Sequence, residues 1–181
     1  MTVSLAEAKA HCVVEHNLDD AYLLGLIQAA TAATEDYTKT IITQRTLTKK
    51  FDDFSNLTLK TPLRSVTSIT YVDDDGATQT LSSAIYQPVG VWSETNQTKV
   101  SGIVLAYDQD WPSIRLQKEA VTVTYVAGYA TDEIPDNLRH AILLLVGNLY
   151  ANREPEVIGT IATKLQLNYQ WLLNPFKVFN V

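Results

Sequence analysis

The chain has 181 residues, 46% of them apolar and 19% charged, which predicts a buried core and excludes an intrinsically disordered chain. Fourteen Lys and Arg stand against twenty Asp and Glu. The bases form no cluster that would neutralise a row of phosphates, so sequence-specific nucleic-acid binding is not expected. No apolar run of about 18 residues and no signal peptide are found, so we expect a protein that spans no membrane and is made and kept in the cytoplasm.

The negative charge is concentrated near the N-terminus. Residues 1–44 carry a net charge of −4, because this segment contains six acids and only two bases, Lys9 and Lys39. These acids are Glu7, Glu15, Asp19, Asp20, Glu35 and Asp36. Residues 45–130 and 131–181 each carry a net charge of −1.

Two helices are predicted in the N-terminal part. Ser4 followed three residues later by Glu7 is the pattern of a capping box and predicts a short helix over 4–11. Asp19 or Asp20 can cap a second helix over 19–38. Residues 21–34 contain no charge, and apolar side chains cover most of the circumference of this helix. We therefore expect the helix to be buried on nearly all sides, with a neighbouring subunit as the natural source of extra cover.

Seven strands are predicted over residues 45–129, where Thr, Val, Ile and Tyr dominate. Their predicted ranges are 45–54, 57–60, 66–72, 77–81, 86–89, 102–105 and 120–126. Residues 73–76 read as a hairpin turn in which Gly76 takes the positive φ. Together these segments predict an antiparallel β-unit of six or seven strands.

The C-terminal part is again helical. Pro135 fits the first turn of a helix over 135–153, and Pro155 ends it. A loop over 155–163 and a last helix over 164–173 follow. The final residues, 176–181, are more apolar than a solvated tail, so we expect them to dock on a surface. Helices, then strands, then helices predict the α+β class.

The search for a catalytic, metal or cofactor site is negative. The sequence lacks a nucleophile elbow, a phosphate-binding glycine loop, a zinc-protease motif and a dinucleotide fingerprint. Cys12 is interpreted as a half-buried apolar residue, and its histidine neighbours His11 and His16 do not stand at a catalytic spacing. His140 is interpreted as a surface or packed residue.

Three further features have an alternative reading. Asp73, Asp74 and Asp75 are contiguous, which favours a turn over a calcium loop. Asp52 and Asp53 are adjacent and point to opposite faces of a strand, so they are not an acid/base pair. Trp92 and Trp111 would suit a sugar-binding platform, although aromatic residues in strands are more often core or subunit contacts.

The order of segments along the chain resembles a known family. The segments that carry the resemblance are residues 3–9, 19–30, 37–38, 42–46, 62–73, 121–129, 135–138, 148–154 and 172–176. They are similar to the head–tail connector (adaptor) proteins of tailed phages and of phage-derived gene transfer particles, in the variant with a β-insertion. Phe176 and Lys177 stand where Tyr and Arg are commoner in that family, and residues 82–119 do not match it.

The resemblance implies a structural virion protein without catalysis or cofactor. Such connectors form a homo-oligomeric ring of about twelve copies, free or only on the portal. The ring lies beneath the portal protein in the virion neck, completes the head and presents a platform to a stopper or tail-completion protein. DNA passes through the lumen without sequence-specific binding, and no membrane is involved. Residues 1–44 and 131–181 would form one helical connector domain, a small helix bundle, and residues 45–130 an inserted antiparallel β-domain.

Candidate contact residues follow from this implied role. We expect helices 19–38 and 135–153 to build the subunit interface and segment 164–181 to reach the portal. The interface candidates are Leu23, Leu24, Ile27, Ala30, Leu144, Leu145 and Tyr150. The portal candidates are Leu172, Leu173, Pro175, Phe176 and Phe179. Some of the six N-terminal acids are expected to face the lumen, where negative charge keeps DNA from sticking.

Three other functions remain as hypotheses. The nearest is another neck component, such as a stopper or a tail-completion protein. A monomeric module that binds carbohydrate or peptide through its β-unit is motivated by Trp92 and Trp111. A small hydrolase would use Cys12 with a histidine.

Overall fold

The computed structural model describes residues 2–93, 99–153 and 166–179. The chain divides into two compact units. The helical unit comprises Met1–Ile42 and Ala130–Val181, and the β unit comprises Thr43–Tyr129. None of the helices in these described ranges has the length and apolar character needed to cross a membrane.

The helical unit contains four α-helices in its described part. They are α1 (Leu5–Cys12), α2 (Asp20–Thr38), α3 (Asp136–Ala151) and α4 (Gln166–Leu173), and α4 continues into a 3₁₀ turn over Asn174–Phe176. Each observed helix lies within two residues of its predicted bounds. The predicted loop 155–163 and the first two residues of the predicted helix 164–173 lie outside the described residues.

The capping box predicted for α1 is present. The Glu7 N–H donates to Ser4 Oγ at 3.2 Å, and the Ser4 N–H donates to the Glu7 carboxylate at 2.7 Å. The cap predicted for α2 is different. Asp19 occupies the N-cap position, but its side chain makes no cap hydrogen bond and instead accepts a hydrogen bond from the Tyr150 hydroxyl.

The core of the helical unit is one stripe of α2 packed against α3. Leu23, Ile27 and Ala30 are buried at helical spacing on α2, and Thr34 and Thr38 continue the same stripe. Both threonine hydroxyls donate to the carbonyl oxygen four residues earlier, which removes the cost of burying them. From α3, the buried residues are Leu138, Ala141, Ile142 and Val146.

The expectation that α2 is buried on nearly all sides is wrong for the chain by itself. Side chains on the opposite side of the helix are exposed, and five of these eight residues are Ala or Gly. The exposed residues of α2 are Ala21, Tyr22, Gly25, Gln28, Ala29, Ala32, Ala33 and Asp36. Exposure of Ala and Gly costs little because these residues have little apolar surface to bury.

The β unit has seven strands in its described part. They are β1 (Arg45–Phe51), β2 (Leu57–Leu59), β3 (Leu63–Val72), β4 (Thr78–Thr80), β5 (Tyr86–Val89), β6 (Ser101–Leu105) and β7 (Val121–Ala127). All pairs of strands are antiparallel, as predicted. The strands form two sheets, with the orders β1-β7-β3-β4 and β2-β6-β5, which the prediction of a single β-unit did not specify.

The four-stranded sheet has one buried and one open face. Along β7, Val121, Val123, Tyr125 and Ala127 are buried, and the residues between them are half-buried. This alternation is what a strand with one face on the core requires. The predicted turn after β3 is confirmed, since Gly76 has a φ of 87° and its N–H donates to the Asp73 carbonyl oxygen at 2.9 Å.

Two glycines give a matched test of this fold. Gly128 has a φ of 106°, and a Cβ there would lie 2.6 Å from the backbone nitrogen of Gln44, whereas a Cβ on Gly25 would meet nothing within 4 Å. We expect Gly128→Ala to lower the free energy of unfolding by about 2 kcal/mol or more. Gly25→Ala should raise it by up to about 1 kcal/mol. Urea unfolding measures both, and equal effects of the same sign would contradict this account.

Candidate functional site

The described residues hold no group of three or more His, Cys, Asp or Glu side chains placed to bind a metal ion. His11 contacts His140 edge-on, with the ring centroids 6.4 Å apart. Cys12 is half-buried, as predicted, and burial raises the pKa of its thiol. A raised pKa makes the thiolate scarcer, which is unfavourable for a nucleophile.

The acidic pairs of the β unit serve local structure. Asp73 accepts hydrogen bonds from the Ala77 N–H and the Gln79 amide, as a turn residue does. The Lys118 ammonium beside Asp52 lowers the pKa of that carboxyl. The Asp53 carboxylate instead accepts a hydrogen bond from the Ser55 N–H. Asp52 and Asp53 therefore have separate partners.

The two tryptophans of the sugar-platform hypothesis take part in internal contacts of the β unit. The Trp111 ring stacks on Phe54 with centroids 4.6 Å apart and an interplanar angle of 3°. Trp92 packs edge-on against Tyr129 and lies under the Arg64 guanidinium. Both rings are half-buried and engaged in these internal contacts, which is the more common role of aromatic residues in strands.

The interface candidates divide into two groups. Leu23, Ile27 and Ala30 are buried within the helical unit, so these three side chains offer no surface to a neighbouring subunit. This corrects their assignment, because helical spacing places them on the stripe that contacts the chain's own helices. Half-buried positions are found for Leu24, Leu144, Leu145 and Tyr150.

The portal candidates form the end of the helical unit. Leu173 is fully buried, Leu172 and Phe176 are half-buried, and Pro175 is exposed, as is Phe179 at 70%. The segment docks on the C-terminal end of α2. The Val178 N–H donates to the Thr38 carbonyl at 2.8 Å, and the Tyr37 hydroxyl donates to the Asn174 amide oxygen at 2.8 Å. The expected docking surface of the tail is therefore, at least in part, this chain's own α2.

Beside this segment, Trp171 is 76% exposed and was missed among the sequence-based candidates. It borders a groove of about 320 Å³ lined by Asn137, Trp171, Leu172, Asn174 and Pro175. An exposed Trp next to a groove is the kind of anchor on which protein interfaces depend. The signal available in the sequence was Trp171 itself, because it is the single tryptophan of the apolar C-terminal part.

A second cluster missed by the sequence analysis joins α2 to the end of α3. The Tyr150 hydroxyl donates to Asp19 Oδ2 at 2.6 Å, and the Arg153 guanidinium lies 3.4 Å from the same oxygen. Arg153 also lies over the Tyr22 ring, 4.7 Å from its centroid. The hydrogen bond from Tyr150 lowers the pKa of Asp19 and raises the pKa of Tyr150. The Tyr and Arg of the sequence Tyr-Ala-Asn-Arg thus hold the helix pair together.

Most of the six N-terminal acids are engaged inside the helical unit. Glu7 pairs with Arg139 at 2.8 Å, Asp20 pairs with Lys9 at 2.8 Å, and Asp19 is held as described above. The Glu35 carboxylate accepts the Ile42 N–H at 2.7 Å. Glu15 and Asp36 are exposed. That some of the six acids face a lumen stays a prediction. Glu15 and Asp36 are the most exposed of the six.

A family model described as "Phage gp6-like head-tail connector protein" matches residues 2–110, more than half of the chain. The chain belongs to this head–tail connector family. The matched part includes α1, α2 and the first six strands of the β unit.

Solved structures resemble this connector-family chain over almost its whole length. A chain of "Neck of empty GTA particle computed with C6 symmetry" has a TM-score of 0.75 and 21% identity, covering 98% of this chain and 90% of that one. A chain of "Virion of native gene transfer agent (GTA) particle" has a TM-score of 0.74 and 21% identity over the same shares.

A third structure, "Neck of native GTA particle computed with C12 symmetry", gives a TM-score of 0.73 and 20% identity, covering 98% of this chain and 89% of that one. None of the curated proteins compared with the chain matches it. The structural likeness establishes a shared fold.

The Glu7 site gives a pH-dependent prediction. The Ser4 N–H, with the Ser4 hydroxyl and Arg139, lowers the pKa of Glu7 from 4.5 to about 2. Because the folded pKa is depressed, the stabilisation is present above pH 4.5 and is lost as the pH falls towards 2. We expect Glu7→Gln to cost about 1 kcal/mol in free energy of unfolding at pH 7 and much less near pH 2.

Urea unfolding across this pH range measures the difference between wild type and variant. Glu15→Gln is the matched control because Glu15 is exposed, and its effect should stay near zero at every pH. A Glu7→Gln cost that does not change with pH would contradict the assignment.

Proposed function

We propose that this protein is a structural component of the virion neck, a head–tail connector that assembles as a ring of about twelve copies beneath the portal. The ring completes the head, presents the docking platform for a stopper or tail-completion protein, and lets DNA pass through its lumen. The protein is made in the cytoplasm of the host bacterium and ends in the neck of the particle. It performs no catalysis.

The observation that carries the proposal is the family match together with a structural likeness that extends over almost the whole chain. The match to the connector family supports a structural role, and the fold likeness to a neck chain, which covers 98% of this chain, supports the location in the neck. Neck structures computed with C6 and C12 symmetry support a cyclic assembly. The family match also favours a connector over a stopper, the nearest alternative.

The exposed side of α2 supports a subunit contact in the helical unit. Between Ala21 and Thr34 the helix has no charge, and its exposed Gly25, Ala29 and Ala33 allow another backbone to approach closely. Interfaces are depleted of charged residues at their centre. We therefore assign the ring contact of this unit to the exposed side of α2 and to the half-buried candidates, with Leu24 and Tyr150 as examples.

The C-terminal segment is the proposed contact with the portal. The groove bordered by Trp171 and Pro175 and the exposed Phe179 ring present apolar surface that the helical unit does not cover. Removing residues 174–181 would be a poor test, because Asn174 and Val178 hold the end of α2 by hydrogen bonds. Substitution of exposed side chains keeps those bonds.

The ring is tested by assembly. We expect native mass spectrometry of the protein over a concentration series, and electron microscopy after mixing it with portal-bearing heads, to show rings of about twelve copies on the portal. Free protein can remain monomeric, since each contact is small until the portal gathers the copies. A monomer that never associates with portal-bearing heads would overturn the proposal.

The portal surface is tested by Trp171→Ala combined with Phe179→Ala. Loss of two exposed aromatic anchors should weaken binding to portal-bearing heads by about 30-fold, as loss of an interface hot spot does. Tyr107→Ala, in a β-unit residue that is 95% exposed, is the matched control and should change binding less than about threefold. Sedimentation of heads with bound protein measures both, and equal losses would contradict the assignment.

A further inference from the structure

The four-stranded sheet of the β unit ends in two unpaired edges. In the order β1-β7-β3-β4, the strands β1 and β4 lie at opposite edges, and neither pairs with a further strand among the described residues. All three residues of β4 are exposed, and five of the seven residues of β1 are exposed. Such edges present backbone N–H and C=O groups that can pair with another chain.

The two edges carry opposite charge. Strand β1 contains three bases and no acid, whereas the β3–β4 turn contains three consecutive acids and no base. The bases are Arg45, Lys49 and Lys50, and the acids are Asp73, Asp74 and Asp75. Of the acids, Asp73 holds the turn, while Asp74 and Asp75 are exposed.

Neighbouring charges reduce this contrast without removing it. Near β1, Lys60 and Lys118 add positive charge, and Asp52, Asp53 and Glu119 add negative charge. Five bases against three acids leave a net charge of +2 at this edge. At the turn, Arg115 lies beside Gly76 and leaves a net charge of −2.

We propose that β1 of one copy pairs with β4 of the next copy, so that the sheet continues from subunit to subunit. This inference rests on the proposed ring. A ring needs two different and complementary surfaces on each subunit, and opposite edges of one sheet supply them. Because β1, β7, β3 and β4 alternate in direction, a β4 strand added beside β1 continues the antiparallel order.

The charge pattern selects this pairing over the alternatives. Two β1 edges would bring bases together, and two β4 edges would bring the acidic turns together, so both twofold contacts are disfavoured. Lysines on an edge strand can also serve only to prevent aggregation. That role alone does not require negative charge at the opposite edge of the sheet. The three residues of β4 limit the pairing to about 10 Å of strand, which makes each contact weak and dependent on assembly.

The test reverses the charge of each edge. One variant carries Lys49→Glu and Lys50→Glu, a second carries Asp74→Lys and Asp75→Lys, and a third carries all four changes. Lys49 donates to the Thr58 carbonyl, so Lys50→Glu combined with Lys118→Glu, which reverses the charge of the edge equally at two exposed ion-pair residues, replaces the first variant if that one fails to fold. Thermal unfolding of each variant establishes that the fold is retained.

We expect each two-site variant alone to lose at least about tenfold in ring assembly on portal-bearing heads, because like charges then meet at every contact. An equimolar mixture of the two should assemble as an alternating ring, and the four-site variant should assemble alone. Asp110→Lys with Asp132→Lys changes the net charge as much as the second variant at two other exposed positions, and it should assemble normally.

The outcomes separate this proposal from the ring itself. Normal assembly of wild type and of both two-site variants would overturn the edge pairing and leave the ring intact. Loss of assembly without rescue by the mixture or by the four-site variant would also overturn the pairing. Failure of the wild type to form rings on heads would overturn the proposed function, and the pairing with it.

Discussion

The antiparallel pairing of β1 with β7 is the constraint on which the two-unit organisation depends. It joins residues 45–51 to 121–127, and just beyond it the Gln44 N–H donates to the Tyr129 carbonyl. The chain therefore enters and leaves the β unit at neighbouring points. Because of this closure, helices that are about a hundred residues apart in sequence, α2 and α3, can pack in one core. Gly128, which fits closely against Gln44, makes this closure possible.

Elements whose signals are local could be predicted from the sequence. The Ser4–Glu7 capping box, the turn at Gly76 and the alternation along β7 each depend on residues within a few positions of one another. The division of the strands into two sheets depends on pairings such as β2 with β6, which join segments more than forty residues apart. Asp19 shows the same limit, because its local role as a cap is displaced by a tyrosine 131 positions later.

Three of the interface candidates are wrong for a related reason. Leu23, Ile27 and Ala30 were chosen as apolar residues of a charge-free helix, yet their spacing is that of one stripe, and Thr34 and Thr38 extend it. A stripe of this kind faces the nearest core, which here belongs to the chain itself. Most of the exposed positions on α2 are small residues between the buried ones, and composition alone does not distinguish the buried side of the helix from the exposed side. Leu173 and Trp171 illustrate the same point in α4, where the aliphatic residue is buried and the aromatic one is exposed.

The acidic character of residues 1–44 changes meaning once their partners are known. Glu7, Asp19, Asp20 and Glu35 bind groups of the helical unit, so most of this charge stabilises helix contacts. The β unit differs, because its four-stranded sheet has exposed charges of opposite sign at its two edges. The β1 edge is basic, and the turn before β4 is acidic. Exposed ion pairs contribute little to the stability of a fold, whereas long-range complementarity determines which surfaces meet and how quickly. In the proposed ring, where copies join in one orientation only, charge placed in this way specifies the assembly more than it stabilises the fold.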